Sequence, residues 1–271
     1  VYADGTVAKA GGRTVKNVAG YDMSRLHIGA FGSLGIIVEA TFKVSPVPKT
    51  LVTVAGRFAT VAEAIAGARA LRMARIVPWS LVLVPPSVLP GMADRYTVAV
   101  RLGGQPAVVG PQTQRALDTL KEAQAEDVTE IDEAEKTFWP ALRDWPAVVG
   151  DEKAILMRMG VAPSQVGAVL ASVQDIANHH NVQASMLTYP DAATVYCCLD
   201  EAGDKAVDAV AGMVAVVREW NGNLVVERCR PQLKQRLPVW GTGAADALSQ
   251  RVKQNIDPKG MLNPGRFVGG L

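Results

Sequence analysis

Residues 153–227 read KAILMRMGVAPSQVGAVLASVQDIANHHNVQASMLTYPDAATVYCCLDEAGDKAVDAVAGMVAVVREWNGNLVVE. Apolar runs at 153–159, 182–188, 193–199 and 223–227 predict four strands, and the intervals between the first and last pairs predict helices over 163–178 and 204–219. In the first helix Val166, Leu170, Val173 and Ala177 keep helical spacing; in the second Val207, Val210, Val214 and Val217 do. Each helix therefore carries one apolar stripe to bury against a sheet. The order β-α-β-β-α-β is that of a ferredoxin-like unit.

The same order stands upstream. A strand-like run from Leu51 to Val54 precedes Thr60-Val61-Ala62-Glu63, whose capping-box spacing starts a helix reaching about Met73. Strands near 80–84 and 95–102, a helix near 111–124 and a short strand near 127–131 follow, with Pro85, Pro86 and Pro90 interrupting the middle. A Trp/Pro-rich connector joins the two units. The expectation is an α+β cap domain over residues 48–255, built from two ferredoxin-like β-α-β-β-α-β units with their helices on one sheet face. Its last helix, about 243–255, ends at Asp257-Pro258-Lys259-Gly260, where proline stops the helix and glycine turns the chain. Residues 256–271 are expected to run back as a short extended tail.

The first 47 residues read differently. Val1 to Val7 suggests a hairpin around Asp4-Gly5, and a chain opening inside a hairpin implies that a further segment precedes it. Glycine is frequent from Gly11 to Gly35. Gly29-Ala30-Phe31-Gly32-Ser33-Leu34-Gly35 spaces three glycines at three-residue intervals, between a helix expected at about 21–28 and a buried strand expected from Ile36 through Phe42 to Val44. Positions without side chains let backbone N–H groups approach a phosphate or a ring system. The Rossmann loop follows a strand and opens a helix, whereas this run precedes a strand, so a tight helix-to-strand turn is an equal alternative. Asn17 can donate and accept at once, and Asp22 and Arg25 sit three apart for pairing, with a helix N-cap as the other role for Asp22. Pro46 and Pro48 mark a domain boundary.

Composition removes several classes. Lys plus Arg number 28 against 26 Asp plus Glu, and the basic residues are scattered, so no footprint for nucleic acid is present. No apolar run is long enough to span a bilayer and the first residues do not form a signal peptide, which points to a soluble, cytoplasmic protein without a membrane span. Cys197-Cys198 and a separate Cys229 match neither a disulfide framework nor a zinc pattern. His179-His180 ends a helix with its two side chains about 100° apart and no carboxylate at ligand spacing, so no metal is expected. The acidic run from Glu126 to Glu135 reads as a solvated face around a helix start.

The run GRTVKNVAGYDMSRLHIGAFGSLGIIVEATFKV at 12–44 resembles the second half of the flavin-binding domain of the vanillyl-alcohol-oxidase or PCMH-type FAD-linked oxidoreductases, and most of all the glycolate oxidase FAD-binding subunit. The distant Asp257-Pro258-Lys259-Gly260-Met261-Leu262-Asn263-Pro264-Gly265-Arg266 is similar to the closing DPxGxxNPGR of that family. Phe138-Trp139, Leu142-Arg143 and Leu156-Met157-Arg158 match family positions more loosely. The resemblance implies residues 1–47 as the C-terminal part of a PCMH-type FAD-binding domain, without the N-terminal subdomain that cradles the FAD pyrophosphate. It implies FAD as cofactor and, as its wall, Asn17, Gly20, Tyr21, Gly29, Gly32, Gly35, Ile36, Ile37 and Asn263.

Oxidising a 2-hydroxy acid with a flavin needs a proton acceptor and a cationic clamp on the substrate carboxylate. Arginine suits the clamp because its planar fork binds a carboxylate through two hydrogen bonds. Arg158, in the otherwise apolar Leu156-Met157-Arg158-Met159, comes first, with Arg228 and then Arg266 behind it; sheet-edge exposure is its plain structural alternative. His27, beside the glycine-rich run, is the candidate base. The functional expectation is an FAD-dependent 2-hydroxy-acid oxidase or dehydrogenase subunit in a glycolate-oxidase-like complex. The alternatives are a non-catalytic scaffold subunit, or a fragment unable to hold FAD alone.

Overall fold

The structure, a computed structural model, describes residues 1–12, 21–86, 88, 95–200, 203–241 and 247–271. Asn17 and Gly20 lie outside the described residues. The chain forms two compact units, one of Val1–Pro46 with Gly243–Leu271 and one of Val47–Thr242. In chain order the elements are α1 (Ser24–His27), β1 (Thr50–Phe58), α2 (Val61–Met73), β2 (Ser80–Val84), β3 (Tyr96–Gly104), α3 (Pro106–Glu122), β4 (Glu126–Glu130) and α4 (Phe138–Val148). They continue with β5 (Ile155–Gly160), α5 (Val166–His179), β6 (Ala184–Tyr189), β7 (Thr194–Leu199), α6 (Asp204–Glu219), β8 (Asn223–Arg228), α7 (Pro231–Lys234) and α8 (Ala247–Ile256), with short 3-10 turns at Pro163–Gln165 and Val268–Gly270.

In the larger unit the eight strands make one antiparallel sheet in the order β4-β1-β3-β2-β6-β7-β5-β8. Each half repeats the ferredoxin-like order, and the halves join where Leu83 of β2 faces Thr188 of β6. The fold is the α+β pair of ferredoxin-like units that the hydrophobic periods imply. Successive side chains of a strand point to opposite faces, so each strand feeds two layers. Leu81, Leu83, Val98 and Val100 pack under α2 and α3; Ile155, Met157, Met159 and Cys197 pack under α5 and α6. The capping box at the start of α2 is formed: the Glu63 N–H donates to Thr60 Oγ1 at 3.2 Å, and the Thr60 N–H to Glu63 Oε2 at 3.1 Å. Such a cap stabilises a helix by about 1 kcal/mol.

The opposite face is covered where the sequence suggested only a connector. There α4 lays Phe138, Trp139, Leu142 and Trp145 over Ala55, Val82, Ala99 and Leu156. Pro140 disguises this helix, yet it stands in the first turn, where a backbone N–H has no intrahelical partner to lose. Trp139 Nε1 donates to Thr53 Oγ1 at 2.8 Å, tying the start of α4 to β1. Helix α3 also begins earlier than expected, because Pro106 is its first residue and Pro111 is accommodated inside it. The prolines at 85 and 86 lie just past the end of β2 and leave the ladder intact. The acidic run is likewise an edge strand, β4, followed by a turn; Asp127 pairs with Arg57 at 3.3 Å and Glu126 with Arg95 at 3.4 Å.

The smaller unit departs further from expectation. The helix expected over 21–28 is the single turn α1, and Asp22 pairs with Arg25 at 3.1 Å. The opening segment makes its Asp-Gly turn, with the Tyr2 N–H on the Thr6 carbonyl at 2.9 Å, but no ladder extends from it. The strand from Ile36 to Val44 is neither buried nor paired in a sheet among the described residues; Ile36 is 55% exposed and Phe42 82%. Its first residue exchanges backbone hydrogen bonds with Val1, the Ile36 N–H donating to the Val1 carbonyl at 2.9 Å and the Val1 amino group to the Ile36 carbonyl at 2.8 Å, and no described strand continues the pairing. The last residues are not extended either, since the N–H groups of Gly265 and Phe267 both reach the Leu271 carbonyl at 3.1 Å and close the tail on itself.

Candidate functional site

The site of the smaller unit grows from one buried charge. Lys253 on α8 and Asp257 just past its end are four residues apart and both buried, and their side chains meet at 2.7 Å. Lys253 Nζ also donates to the Ser33 carbonyl at 2.7 Å and to the Leu262 carbonyl at 2.9 Å. Asp257 accepts from the N–H groups of Met261 at 3.0 Å and Leu262 at 2.8 Å. Its bond to Lys253, aided by these two amides, holds its carboxyl down at about 2 from an ordinary 3.8, against burial, which acts the other way. The glycine-rich run and the Asp-Pro-Lys-Gly turn are thereby fastened to one helix.

The consequence for the wall is direct. Asn263, in a left-handed backbone conformation with φ of 40°, donates its side-chain amide to the Phe31 carbonyl at 2.5 Å. A Cβ on Gly32, where φ is 70°, would stand 3.0 Å from Asn263 Nδ2. Gly35 is equally confined, because a Cβ there would lie 3.1 Å from the His27 ring. Beneath this surface Leu34 is fully buried, and Ser33 donates its hydroxyl to the Ala30 carbonyl at 2.5 Å. The result is a groove of about 450 Å³ bounded by His27, Gly32, Gly35, Ile36, Ile37, Met261, Leu262 and Asn263.

Six of the residues singled out from the sequence thus border one groove: His27, Gly32, Gly35, Ile36, Ile37 and Asn263. Tyr21, 95% exposed, and Gly29 do not line it. His27 lies 3.5 Å from the Tyr2 hydroxyl through Nε2. The sequence reading missed Lys253 and Asp257 as the parts that hold the groove together; their i, i+4 spacing at the end of an amphipathic helix was the available signal.

The two arginines of the larger unit are engaged by protein groups. Arg158 stands on β5 with Nε 2.5 Å from Glu227 on the adjacent β8, and both are exposed. Arg228 is turned to the end of α4. It donates to the carbonyls of Pro146 at 3.2 Å, Ala147 at 2.8 Å and Val149, three acceptors that the helix terminus leaves unmatched. The guanidinium thereby serves as a helix cap. The cysteines of β7 are buried, and burial pushes the thiol of Cys197 far up and that of Cys198 up to about 12. Among the described residues no group of three or more His, Cys, Asp or Glu side chains converges as metal ligands would.

A flavin ring fits the groove in three respects. Two side-chain-free positions let a flat ring approach the backbone, Ile36, Ile37, Met261 and Leu262 supply apolar contact, and Asn263 with His27 supplies polar groups at the border.

Fold and comparison agree on one class for the chain, the FAD-linked oxidoreductases. The chain belongs to the family described as FAD linked oxidases, C-terminal domain, whose model matches residues 47–267. It is 25% identical over 292 residues to glycolate oxidase subunit GlcD of Bacillus subtilis (strain 168), covering 98% of this chain and 61% of that protein. Over 39 residues it is 54% identical to glycolate oxidase subunit GlcE of Escherichia coli (strain K12), 14% of this chain and 11% of that one. Among solved structures, p-cresol methylhydroxylase with substrate bound shares the fold at a TM-score of 0.58, with 14% identity over 81% of this chain and 53% of the other. The chain thus spans about three fifths of the length of the Bacillus protein it matches from end to end. No helix among the described residues is long and apolar enough to cross a membrane.

Proposed function

We propose that this chain supplies one wall of the flavin site in an oxidoreductase that oxidises a small 2-hydroxy acid, as a subunit of a glycolate-oxidase-like assembly. The observation that carries the reading is the meeting of Asn263 with Phe31 and Gly32, which joins the two motifs of the family in one groove. The similarity to glycolate oxidase subunits GlcD and GlcE supports the substrate class and the multi-subunit context. When bound, FAD would accept the hydride from the substrate Cα.

The chain's own residues have defined tasks in this reading. Gly32, Gly35, Ile36 and Ile37 receive the ring, and Asn263 holds its edge while remaining tied to the Phe31 carbonyl. His27, at the border of the same groove, is the candidate to take the hydroxyl proton. Arg158 remains the candidate for the carboxylate. Its guanidinium is already engaged by a carboxylate, that of Glu227 on the adjacent strand. Asn17, Gly20, Tyr21 and Gly29 complete the wall by resemblance.

The test is the visible spectrum of the purified protein mixed with FAD. Bound-flavin absorption bleached by glycolate or D-lactate supports the reading; a folded protein that takes up no flavin overturns it. The second reading, a scaffold subunit without its own chemistry, is favoured by one observation. Both arginines proposed as clamps already have partners, Glu227 for Arg158 and the end of α4 for Arg228. A flavin that binds but is not bleached by any 2-hydroxy acid would select it.

A further inference from the structure

Lys253 does not line the groove, yet its donors go to Leu262, which does, to Ser33, next to Gly32, and to Asp257, which accepts from the Met261 and Leu262 amides. An ammonium group carries three hydrogens, and here three acceptors take them: Ser33 O at 2.7 Å, Leu262 O at 2.9 Å and Asp257 Oδ2 at 2.7 Å. Ser33 directly follows Gly32, and Leu262 directly precedes Asn263. Consecutive Cα atoms are a fixed distance apart across a peptide, so anchoring these two carbonyls places Gly32 and Asn263 within one residue step of a common point.

Asn263 needs such an anchor. It is exposed and its backbone is in the left-handed region, which asparagine adopts more readily than other residues with a Cβ, so its bond to the Phe31 carbonyl depends on the two segments being held together. A flat guanidinium could not take Lys253's place, because three acceptors arranged around one nitrogen suit a compact ammonium.

We propose that Lys253 is the positioning residue of the groove, presetting Asn263 against the glycine-rich run so that flavin meets a finished wall. The inference rests on the flavin reading above and assigns the lysine no contact with the cofactor. Its physical content is preorganisation: without the lysine the wall-forming arrangement is one of several, and apparent affinity falls with the fraction that remains competent.

The experiment uses the full chain with FAD itself as the probe. Replacing Lys253 alone leaves Asp257 buried and unpaired, so the main variant is the double substitution K253M/D257N, compared with wild type, N263A and the triple combination. Two measurements are made: amide hydrogen exchange without flavin, and FAD affinity from the quenching of flavin fluorescence. The double variant is expected to lose protection at Leu34–Ile36 and Met261–Asn263 while β5 and β7 keep theirs. Its dissociation constant for FAD rises about tenfold, which corresponds to a competent fraction cut to about one tenth. In the N263A background the same pair of changes has less than about a twofold further effect, the non-additivity expected if the lysine acts through Asn263.

An undiminished effect in the N263A background overturns the proposal, as does wild-type protection at those two segments in the double variant. A wild-type chain that takes up no FAD overturns the flavin reading instead, and the exchange data then decide on their own whether Lys253 holds Asn263 in place.

Discussion

The Asn263 side-chain amide reaches the main-chain carbonyl of Phe31 across 232 positions of sequence, at 2.5 Å. That bond closes the smaller unit on itself and turns two unrelated-looking segments into one surface.

Gly32 and Gly29 separate the two demands made on this surface. Both have positive φ, 70° and 81°, but a Cβ at 29 meets nothing within 4 Å while one at 32 meets Asn263 at 3.0 Å. Gly29→Ala is therefore expected to cost only the left-handed backbone penalty, about 1–2 kcal/mol. Gly32→Ala costs that and also displaces the amide, so FAD titration should show a loss with Gly32→Ala well beyond that with Gly29→Ala.

Asp257 makes the smaller unit acid-sensitive in a stated window. Its folded value of about 2 lies below the ordinary 3.8, so between the two the unfolded chain binds more protons and stability rises with pH. The contribution is complete above about pH 4 and disappears as pH falls through about 2. Protection of the Met261 and Leu262 amides, followed from pH 5 to pH 2, should fall over that range in wild type. In Asp257→Asn it should start lower and lose this part of its pH dependence.

Arg158 and Arg228 are predicted to part company under mutation. Arg228→Met strips the cap from α4 and should lower stability in urea by about 1.5–3 kcal/mol, the range for hydrogen bonds from a charged group. Arg158→Met removes an exposed ion pair and should cost no more than about 1 kcal/mol. If the proposed clamp is right, Arg158→Met instead raises KM for the hydroxy acid. Equal destabilisation by the two variants would contradict both assignments.

The three thiols should titrate in two classes. Cys197 and Cys198 lie buried in β7 with thiols that resist ionisation, whereas Cys229 is only half-buried. A thiol reagent at pH 8 is expected to modify Cys229 first, leaving the other two unreacted until the larger unit is unfolded.

The larger unit was legible in the sequence because its signals are local and repeated. The valine stripes of α5 and α6 and the capping box at Thr60 each fix an element without reference to anything distant. Helix α4 was hidden by Pro140 and Pro146, residues that normally argue against a helix; only the sheet face waiting beneath Phe138 and Trp145 explains it. The groove was half legible. Resemblance paired the glycine-rich run with Asn263, but neither spacing nor composition could reveal that Lys253 bonds to Ser33, since that contact exists only once the chain has closed. Ile36 to Val44 misled in the other direction, because an apolar, strand-like run says nothing about whether a neighbouring strand is at hand.

The seam between β2 and β6, with Leu83 opposite Thr188, carries a mechanical implication. Among the described residues it is the one place where the two ferredoxin-like halves share a ladder, by a single registered pair, and the buried Thr188 hydroxyl there has no hydrogen-bond partner among them. Under a stretching force applied across the sheet, rupture should begin at this line, releasing two halves that each keep their own four strands.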